Sequence, residues 1–178
     1  MKNYILATVM GAIILFVWNI ISWMVLPFHG DMLNTLPESA VNALKSEKNP
    51  VESGIYHYPG LNDPDLFRKV QEGPRIPFLV YIAEGTSAFD PLDFVKSLLF
   101  NLLTASLILV VLTKLSNRST NNAILVALVL ALLVGFASEF PKTSWFKFPV
   151  EYALVNILDY VVGFALASWA MSKMAFRR

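Results

Sequence analysis

The apolar segment from Phe148 to Met171 constrains the fold of this chain more than any other feature. About 20 mostly apolar residues are enough for a helix to cross the hydrocarbon core of a bilayer. Near the middle of this segment lies Asp159, where an ionised carboxylate costs roughly 2.5–3.5 kcal/mol on insertion scales. A chain that keeps such a residue must give it a partner, a wet cavity or a proton.

The composition is typical of a membrane protein. Of the 178 residues, 56% are hydrophobic and 15% are charged, whereas a soluble domain carries about 25% charged residues. The apolar residues are concentrated in a few long runs. The net charge of +1 argues against nucleic acid as a partner. The absence of cysteine excludes disulfides and thiolate metal sites.

The apolar runs predict four transmembrane helices, at about residues 4–26, 94–113, 123–138 and 149–171. The first has no small-residue cleavage site, so we expect residues 1–27 to form an uncleaved signal anchor that Pro27 ends. Residues 93–178 hold the other three helices, and Glu139-Phe140-Pro141 is expected to end the third.

Small residues predict where these helices approach one another closely. Ala7, Gly11, Trp18 and Ser22 share roughly one face of the first helix. Ala7-x-x-x-Gly11 and Gly163-x-x-x-Ala167 have the spacing that lets transmembrane helices pack with little separation.

Residues 28–92 form a polar segment that contains seven of the ten prolines. Its patterns predict short helices at 37–48 and 63–73 and strands at 54–58 and 76–85. Such a small core is marginal alone, so we expect this cap to rest on the membrane helices. The predicted fold class is an all-α membrane protein, with four transmembrane helices and a small mixed α/β extracytoplasmic cap between helices 1 and 2.

The distribution of basic residues predicts the orientation in the membrane. With the N-terminus inside, the inner side holds six basic residues against two in the short outer loop. The inner residues are Lys2, Lys114, Arg118, Lys173, Arg177 and Arg178, and the outer ones are Lys142 and Lys147. The positive-inside rule therefore favours a bacterial inner-membrane protein with both termini cytoplasmic and a periplasmic cap.

The deepest candidate site is an intramembrane polar group centred on Asp159. On its helix Asn156 and Gly163 project to the same side, and Asn19 and Asn101 are polar residues inside other apolar runs. A functional interpretation makes Asp159 a proton, ion or ligand site. The structural alternative is a hydrogen bond from Asp159 to Asn19, Asn101 or Thr104 that holds the helices together.

A second set of candidates lies towards the outer face. It consists of His29, Asp31, His57, Glu139 and Glu151. Imidazole and carboxylate groups suit zinc or copper. Neither histidine has the spacing of a known metal motif, so His29 is expected at the interface, His57 at the surface or packed, and no metal or other cofactor is expected.

The start of the chain resembles a group of small bacterial inner-membrane proteins. They open with a Trp-rich helix that ends in Leu-Pro-aromatic-His, as in WNIISWMVLPFH at residues 18–29, and continue into a Pro-rich cap with SGIY at 53–56. The resemblance covers the first helix and part of the cap, and it implies no activity or catalytic residue. It does imply that Trp18, Trp23, Pro27 and His29 form a unit at the outer membrane face.

The sequence favours a non-enzymatic accessory or assembly subunit of a membrane complex. The chain is small, its helix faces carry small residues, and its cap is placed to touch a partner. The expected partners are the lipid bilayer and a second protein or further copies of this chain. Two alternatives remain open: a small transporter or ion-conducting oligomer that uses Asp159, and a membrane enzyme acting on lipid or a quinone-like substrate through His29, Asp31 and His57.

Overall fold

The computed structural model describes residues 2–45, 50–87 and 89–176. Within them, four helices are long and apolar enough to span a membrane, and a small two-stranded sheet lies between the first and second of these. In chain order the elements are α1 (Lys2–Ile20), α2 (Glu38–Leu44), β1 (Gly54–Tyr58), α3 (Leu66–Glu72), β2 (Ile76–Tyr81), α4 (Pro91–Thr113), α5 (Thr120–Trp145) and α6 (Val150–Ala175). The mostly helical architecture with four such helices is confirmed.

The first long helix ends in a wider turn. α1 continues into a π-helical turn, Ile21–Val25, and leaves it at Leu26. The backbone of Leu26 is extended, with ψ at 142°, because the ring of Pro27 disfavours helical backbone in the residue before it. The predicted end of the helix at Pro27 is confirmed. Single π turns inside helices occur frequently at functional sites.

The predicted end of the third long helix at Pro141 is wrong. α5 passes through Pro141 and ends at Trp145, so the connection to α6 is shorter than expected. Proline inside a helix lacks its own N–H and crowds the carbonyl of the residue four positions before it, but the residues after it can still form helical hydrogen bonds, so α5 continues for one more turn after Pro141. The backbone N–H of Phe146 closes that turn on the carbonyl of Lys142 at 3.0 Å.

The four long helices are arranged in the order α4, α1, α6, α5. α1 packs against both α4 and α6, α5 packs mainly against α6, and α4 barely touches α5. The predicted close approach at Gly11 is confirmed, since a Cβ there would lie 2.6 Å from Sδ of Met171. Gly163 allows Trp18 to pack closely in the same way, because a Cβ at Gly163 would lie 3.0 Å from Cδ1 of the Trp18 indole.

The interface between α5 and α6 is formed by a stripe of small residues on α5. Its buried members recur at every fourth position and are Ala123, Ala127, Ala131, Gly135 and Glu139. A Cβ on Gly135 would lie 2.8 Å from Cγ1 of Ile157. The stripe brings the helix backbones close together, and it ends in a buried carboxylate at the cap end of the bundle, the end where α1 finishes and α4 and α6 begin.

The cap contains an antiparallel hairpin with α3 in its connection. Ile55 pairs with Val80, and the register shifts between Tyr56 and Tyr58. β2 ends at Tyr81, earlier than the predicted end at residue 85, because its partner β1 begins at Gly54, opposite Tyr81. The predicted short helices are present as α2 and α3, while Lys48, expected at the end of the first, lies outside the described residues.

The cap contacts the long helices through aromatic side chains. The ring of Phe78 on β2 lies 5.3 Å from that of Phe146 and 6.3 Å from that of Phe148, measured between centroids. Both partners belong to the connection between α5 and α6. Aromatic pairs at such distances add specific attraction to the apolar contact, so the hairpin rests on the cap end of α5 and α6.

Candidate functional site

Asp159 on α6 is bound by side chains from the end of α1. Ser22 Oγ donates a hydrogen bond to Asp159 Oδ1 at 2.5 Å. Nε2 of His29 lies 2.7 Å from Asp159 Oδ2 and 3.3 Å from Ser22 Oγ. We call these three residues the Asp159 cluster. Both oxygens of the carboxylate therefore have a donor, which offsets the cost of removing the group from water.

The chain after α1 folds back so that His29 reaches the interior. Pro27 follows the π turn, and its carbonyl accepts a hydrogen bond from Asp31 N at 2.9 Å. The indole of Trp23 stacks on the imidazole of His29 with centroids 3.8 Å apart and planes 10° apart. Only 1% of the surface of His29 is exposed. His29 is therefore buried within the protein and grouped with Trp23 as expected, while its depth at the membrane interface stays a prediction.

The hydrogen bonds of His29 indicate its tautomer. Nε2 faces both Ser22 and Asp159, whereas Nδ1 is buried without a hydrogen-bond partner among the described residues. A proton on Nδ1 would be a buried unpaired donor, which is costly. We therefore assign the neutral ring with its proton on Nε2, donated to the carboxylate.

The Asp159 cluster has the residue types of a Ser-His-Asp triad but a different geometry. In a triad the serine and the aspartate contact opposite nitrogens of the imidazole. Here Ser22 and Asp159 contact the same nitrogen, and the serine donates to the carboxylate. The arrangement holds a carboxylate in place and does not prepare Ser22 as a nucleophile.

The backbone of Asp159 is also held by α1. The indole N–H of Trp18 donates to the Asp159 carbonyl oxygen at 3.1 Å. Trp18 reaches this carbonyl because Gly163, one turn further along α6, carries no side chain at the contact. The side chain and the backbone of Asp159 are thus fixed by the same neighbouring helix.

A second polar group, the Glu139 cluster, lies at the end of the α5 stripe. Glu139 is 1% exposed and pairs with Lys142 at 2.8 Å, whose side chain is 41% exposed. Asn156 donates to Glu139 Oε2 at 3.3 Å, and the hydroxyl of Tyr160 lies 3.5 Å from Oε1. Lys142 reaches from this buried carboxylate towards the surface, so the charge of Glu139 is balanced within the cluster.

A third polar contact joins α1 to α4. Asn19 Nδ2 donates to Asn101 Oδ1 at 3.3 Å, and Asn101 Nδ2 donates to the Ser97 carbonyl oxygen at 2.9 Å. The partners that the structural alternative named for Asp159, which were Asn19, Asn101 or Thr104, are therefore wrong, although Asp159 does bond to a neighbouring helix. The asparagines pair with each other, and the aspartate pairs with Ser22 and His29.

Members of all three polar groups line one cleft of about 980 Å³, which takes up the space between α4 and α5. The polar residues that line the cleft towards its cap end include Asn19, Asn101, Asn156, Asp159 and Tyr160. Further along α4 and α5 the walls are apolar, with Leu107, Val111 and Leu130 among the lining residues. Leu107 is 69% exposed and Val134 is 40% exposed, so the cleft opens at the bundle surface.

The cleft is lined by all four polar residues that were expected as candidates inside the apolar runs. Asp159, Asn156, Asn19 and Asn101 all line it. Ser22, Trp18 and Tyr160 were not among the candidates. The positions of Ser22 and Trp18 on the same face as Gly11 indicated that both face a neighbouring helix. Nothing in the sequence predicted that this neighbour would be the part of α6 that contains Asp159.

The outer-face candidates do not form one group. His29 belongs to the Asp159 cluster, and Glu139 has its own cluster. His57 Nδ1 bonds the Pro59 carbonyl oxygen at 3.0 Å, while Asp31 and Glu151 are exposed. The described ranges contain no group of at least three His, Cys, Asp or Glu side chains that could hold a metal ion.

Known proteins give no precedent for this cleft or for its polar clusters. No protein-family model, no curated protein and no solved structure matches this chain. What the site does must therefore follow from its own geometry and chemistry.

Proposed function

We propose that the protein is a membrane-embedded binding protein for an amphiphilic molecule. The observation that carries this proposal is the cleft, which has polar residues at its cap end and apolar walls beyond them. Its volume of about 980 Å³ is at the upper end of the range of about 300–1,000 Å³ typical of small-molecule sites. A polar head would lie beside the asparagines and Asp159, and an apolar chain would follow α4.

The separation of α4 from α5 supports entry from the membrane. α4 has its main contacts with α1, so a molecule can enter sideways between α4 and α5 without breaking the packing of α1, α5 and α6. Polar residues inside apolar segments commonly mark the pathway or site of a substrate. We further propose the orientation that the basic residues favour, with both termini cytoplasmic and the cap on the periplasmic side of a bacterial inner membrane.

A pair of matched variants tests this function. Val134→Trp places a large side chain in the cleft, whereas Leu133→Trp places the same side chain on the neighbouring residue, which does not line the cleft and is 63% exposed. Each protein is extracted in a mild detergent, and its retained small molecules are measured by native mass spectrometry. We expect wild type and Leu133→Trp to retain an amphiphile and Val134→Trp to lose it. Equal retention by both variants would contradict the proposal.

A second candidate function is that of an accessory or assembly subunit. The observation that favours it is the exposed apolar surface of the cap, which includes the cross-strand pair Ile55 and Val80, together with Leu61 and Phe67. Contiguous exposed apolar patches mark interaction sites. Gentle extraction should then recover a protein partner or further copies in fixed ratio, and replacing Phe67 with Ser should weaken that association. Recovery of a lone chain from several mild detergents would exclude this candidate.

A further inference from the structure

The charges of the cleft are unbalanced. Its lining includes the carboxylates of Asp90, Asp93 and Asp159, and among the lining residues that the structure describes there is no Lys, Arg or His. Asp93 is paired with Lys96 at 2.8 Å. Asp90 uses one oxygen to cap α4, accepting from Leu92 N at 2.9 Å, and retains its charge. The cap end of the cleft, where Asp90 and Asp93 lie, is therefore acidic.

Asp159 lies at the inner part of this acidic surface. Its donors are a serine hydroxyl and, by the tautomer assigned above, a neutral imidazole. Neither donor carries a positive charge. A carboxylate in an apolar surrounding attracts a cation much more strongly than it would in water, because the local dielectric constant is low.

The amide groups at the cleft retain acceptor oxygens, although Asn19 and Asn101 each donate through only one of their two N–H groups. Asn19 Nδ2 donates to Asn101, and Asn101 Nδ2 donates to Ser97. Asn156, which is 9% exposed, donates through Nδ2 to the Tyr152 carbonyl and to Glu139. The hydrogen bonds of the described residues leave Oδ1 of Asn19 and Oδ1 of Asn156 without a donor. A ligand head would have to supply donors to both.

Aromatic rings complete the surface around these acceptors. Trp23, Phe16, Phe89 and Phe94 line the same part of the cleft. The faces of such rings attract organic cations within about 6 Å of the ring centroid. Trp23 also covers the imidazole of His29, so the cleft presents the ring of Trp23 beside the carboxylate of Asp159.

We infer that the ligand is an amphiphile with a positively charged head, such as an alkylammonium. The inference rests on the proposed binding function and names the class of ligand for the same cleft. The ammonium lies beside Asp159 and donates to the free amide oxygens, and the alkyl chain runs along α4 from Asn101 to Val111, a distance of about 15 Å at 1.5 Å per residue. An anionic head would lie beside the carboxylates of Asp90, Asp93 and Asp159 there and is disfavoured by like-charge repulsion.

The test uses probes that differ only in the charge of the head. Radiolabelled dodecylammonium is bound to the full-length protein in digitonin and displaced with dodecylammonium, dodecanol or dodecanoate. We expect dodecylammonium to bind about tenfold or more tightly than dodecanol, as a charge-assisted hydrogen bond at a buried carboxylate allows. Dodecanoate should not displace it.

Matched variants assign this preference to Asp159. Asp159→Asn should bring the affinity for dodecylammonium down to that for dodecanol and leave the dodecanol affinity unchanged. Glu151→Gln removes an exposed carboxylate outside the cleft and should change neither affinity. Asp90→Asn keeps the cap of α4, because asparagine is an equally good capping residue, and should weaken dodecylammonium binding several-fold even if Asp159→Asn does not fold.

The outcomes separate this inference from the proposed function. If dodecanol binds and Val134→Trp abolishes that binding, but the ammonium has no advantage, the charge inference is overturned and the binding function stands. The charge inference is also overturned if both Asp159→Asn and Asp90→Asn retain the wild-type preference for the ammonium. If none of the probes binds to the wild-type protein, the proposed function fails and the inference fails with it.

Discussion

Ser22 is the residue whose contribution can be measured most directly. Its hydroxyl donates to a carboxylate that is largely removed from solvent, and a hydrogen bond to a charged group contributes about 1.5–3 kcal/mol. We expect Ser22→Ala to lower the free energy of unfolding by that amount, measured by titration with sodium dodecyl sulfate in mixed micelles and followed by circular dichroism.

Thr8→Ala is the matched control for Ser22→Ala. Thr8 is on the same helix, and its hydroxyl bonds only the carbonyl of Tyr4 on the exposed side. Changes at such positions alter the free energy of unfolding by no more than about 0.5 kcal/mol. If the two substitutions have the same effect, the contact between Ser22 and Asp159 does not stabilise the fold.

At the scale of single residues, the sequence located the polar positions but not their pairing. Asp159 was identifiable because an acid inside an apolar segment must have a partner. His29 is separated from Asp159 by 130 positions, and its approach depends on the π turn and on the path of the chain after Pro27. Neither feature has a local sequence signal, so the contact between His29 and Asp159 could not be predicted from the sequence.

At the scale of elements, the packing of α5 against α6 depends on the small residues of the α5 stripe. Ala131 is 0% exposed, and a larger side chain there would push the helices apart. We expect Ala131→Leu to destabilise the protein by about 1–3 kcal/mol, the usual cost of overpacking a well-packed interior. The unfolding titration described for Ser22 measures it.

Ala137→Leu provides the comparison on the same helix. Ala137 is exposed and lies outside the stripe, so the same added side chain meets no neighbouring helix. Its free energy of unfolding should stay close to that of the wild-type protein. Equal destabilisation by both substitutions would mean that the stripe does not determine how closely α5 and α6 pack.

The existence of the long elements was predictable, while some of their limits were not. Long apolar runs identify helices well, and both strands were recognised from residues such as Ile55 and Val80. The error at Pro141 arose because proline was interpreted as the end of a helix, although the residues after it can still form helical hydrogen bonds. The end of β2 could not be predicted, because it depends on where its partner strand begins.

At the scale of the whole molecule, the proposed orientation can be tested by labelling. The chain contains no cysteine, so Leu61→Cys in the cap and Asn117→Cys between α4 and α5 each introduce a single thiol. Both native residues are exposed. We expect a membrane-impermeant maleimide to label only the cap variant in cells with a permeabilised outer membrane, and to label Asn117→Cys only after the inner membrane is disrupted. The reverse pattern would contradict the proposed orientation.

The positions of the contact partners along the chain have a consequence for biosynthesis. Ser22, His29 and Trp18 lie near the beginning, yet their common partner Asp159 is 137, 130 and 141 positions away, respectively, on the last of the described helices. While the ribosome is still making α4 and α5, these groups lack their partner Asp159, and a chain released early would never acquire it. The contacts of Asp159 with the first helix and the segment after it can therefore form only once α6 has been synthesised.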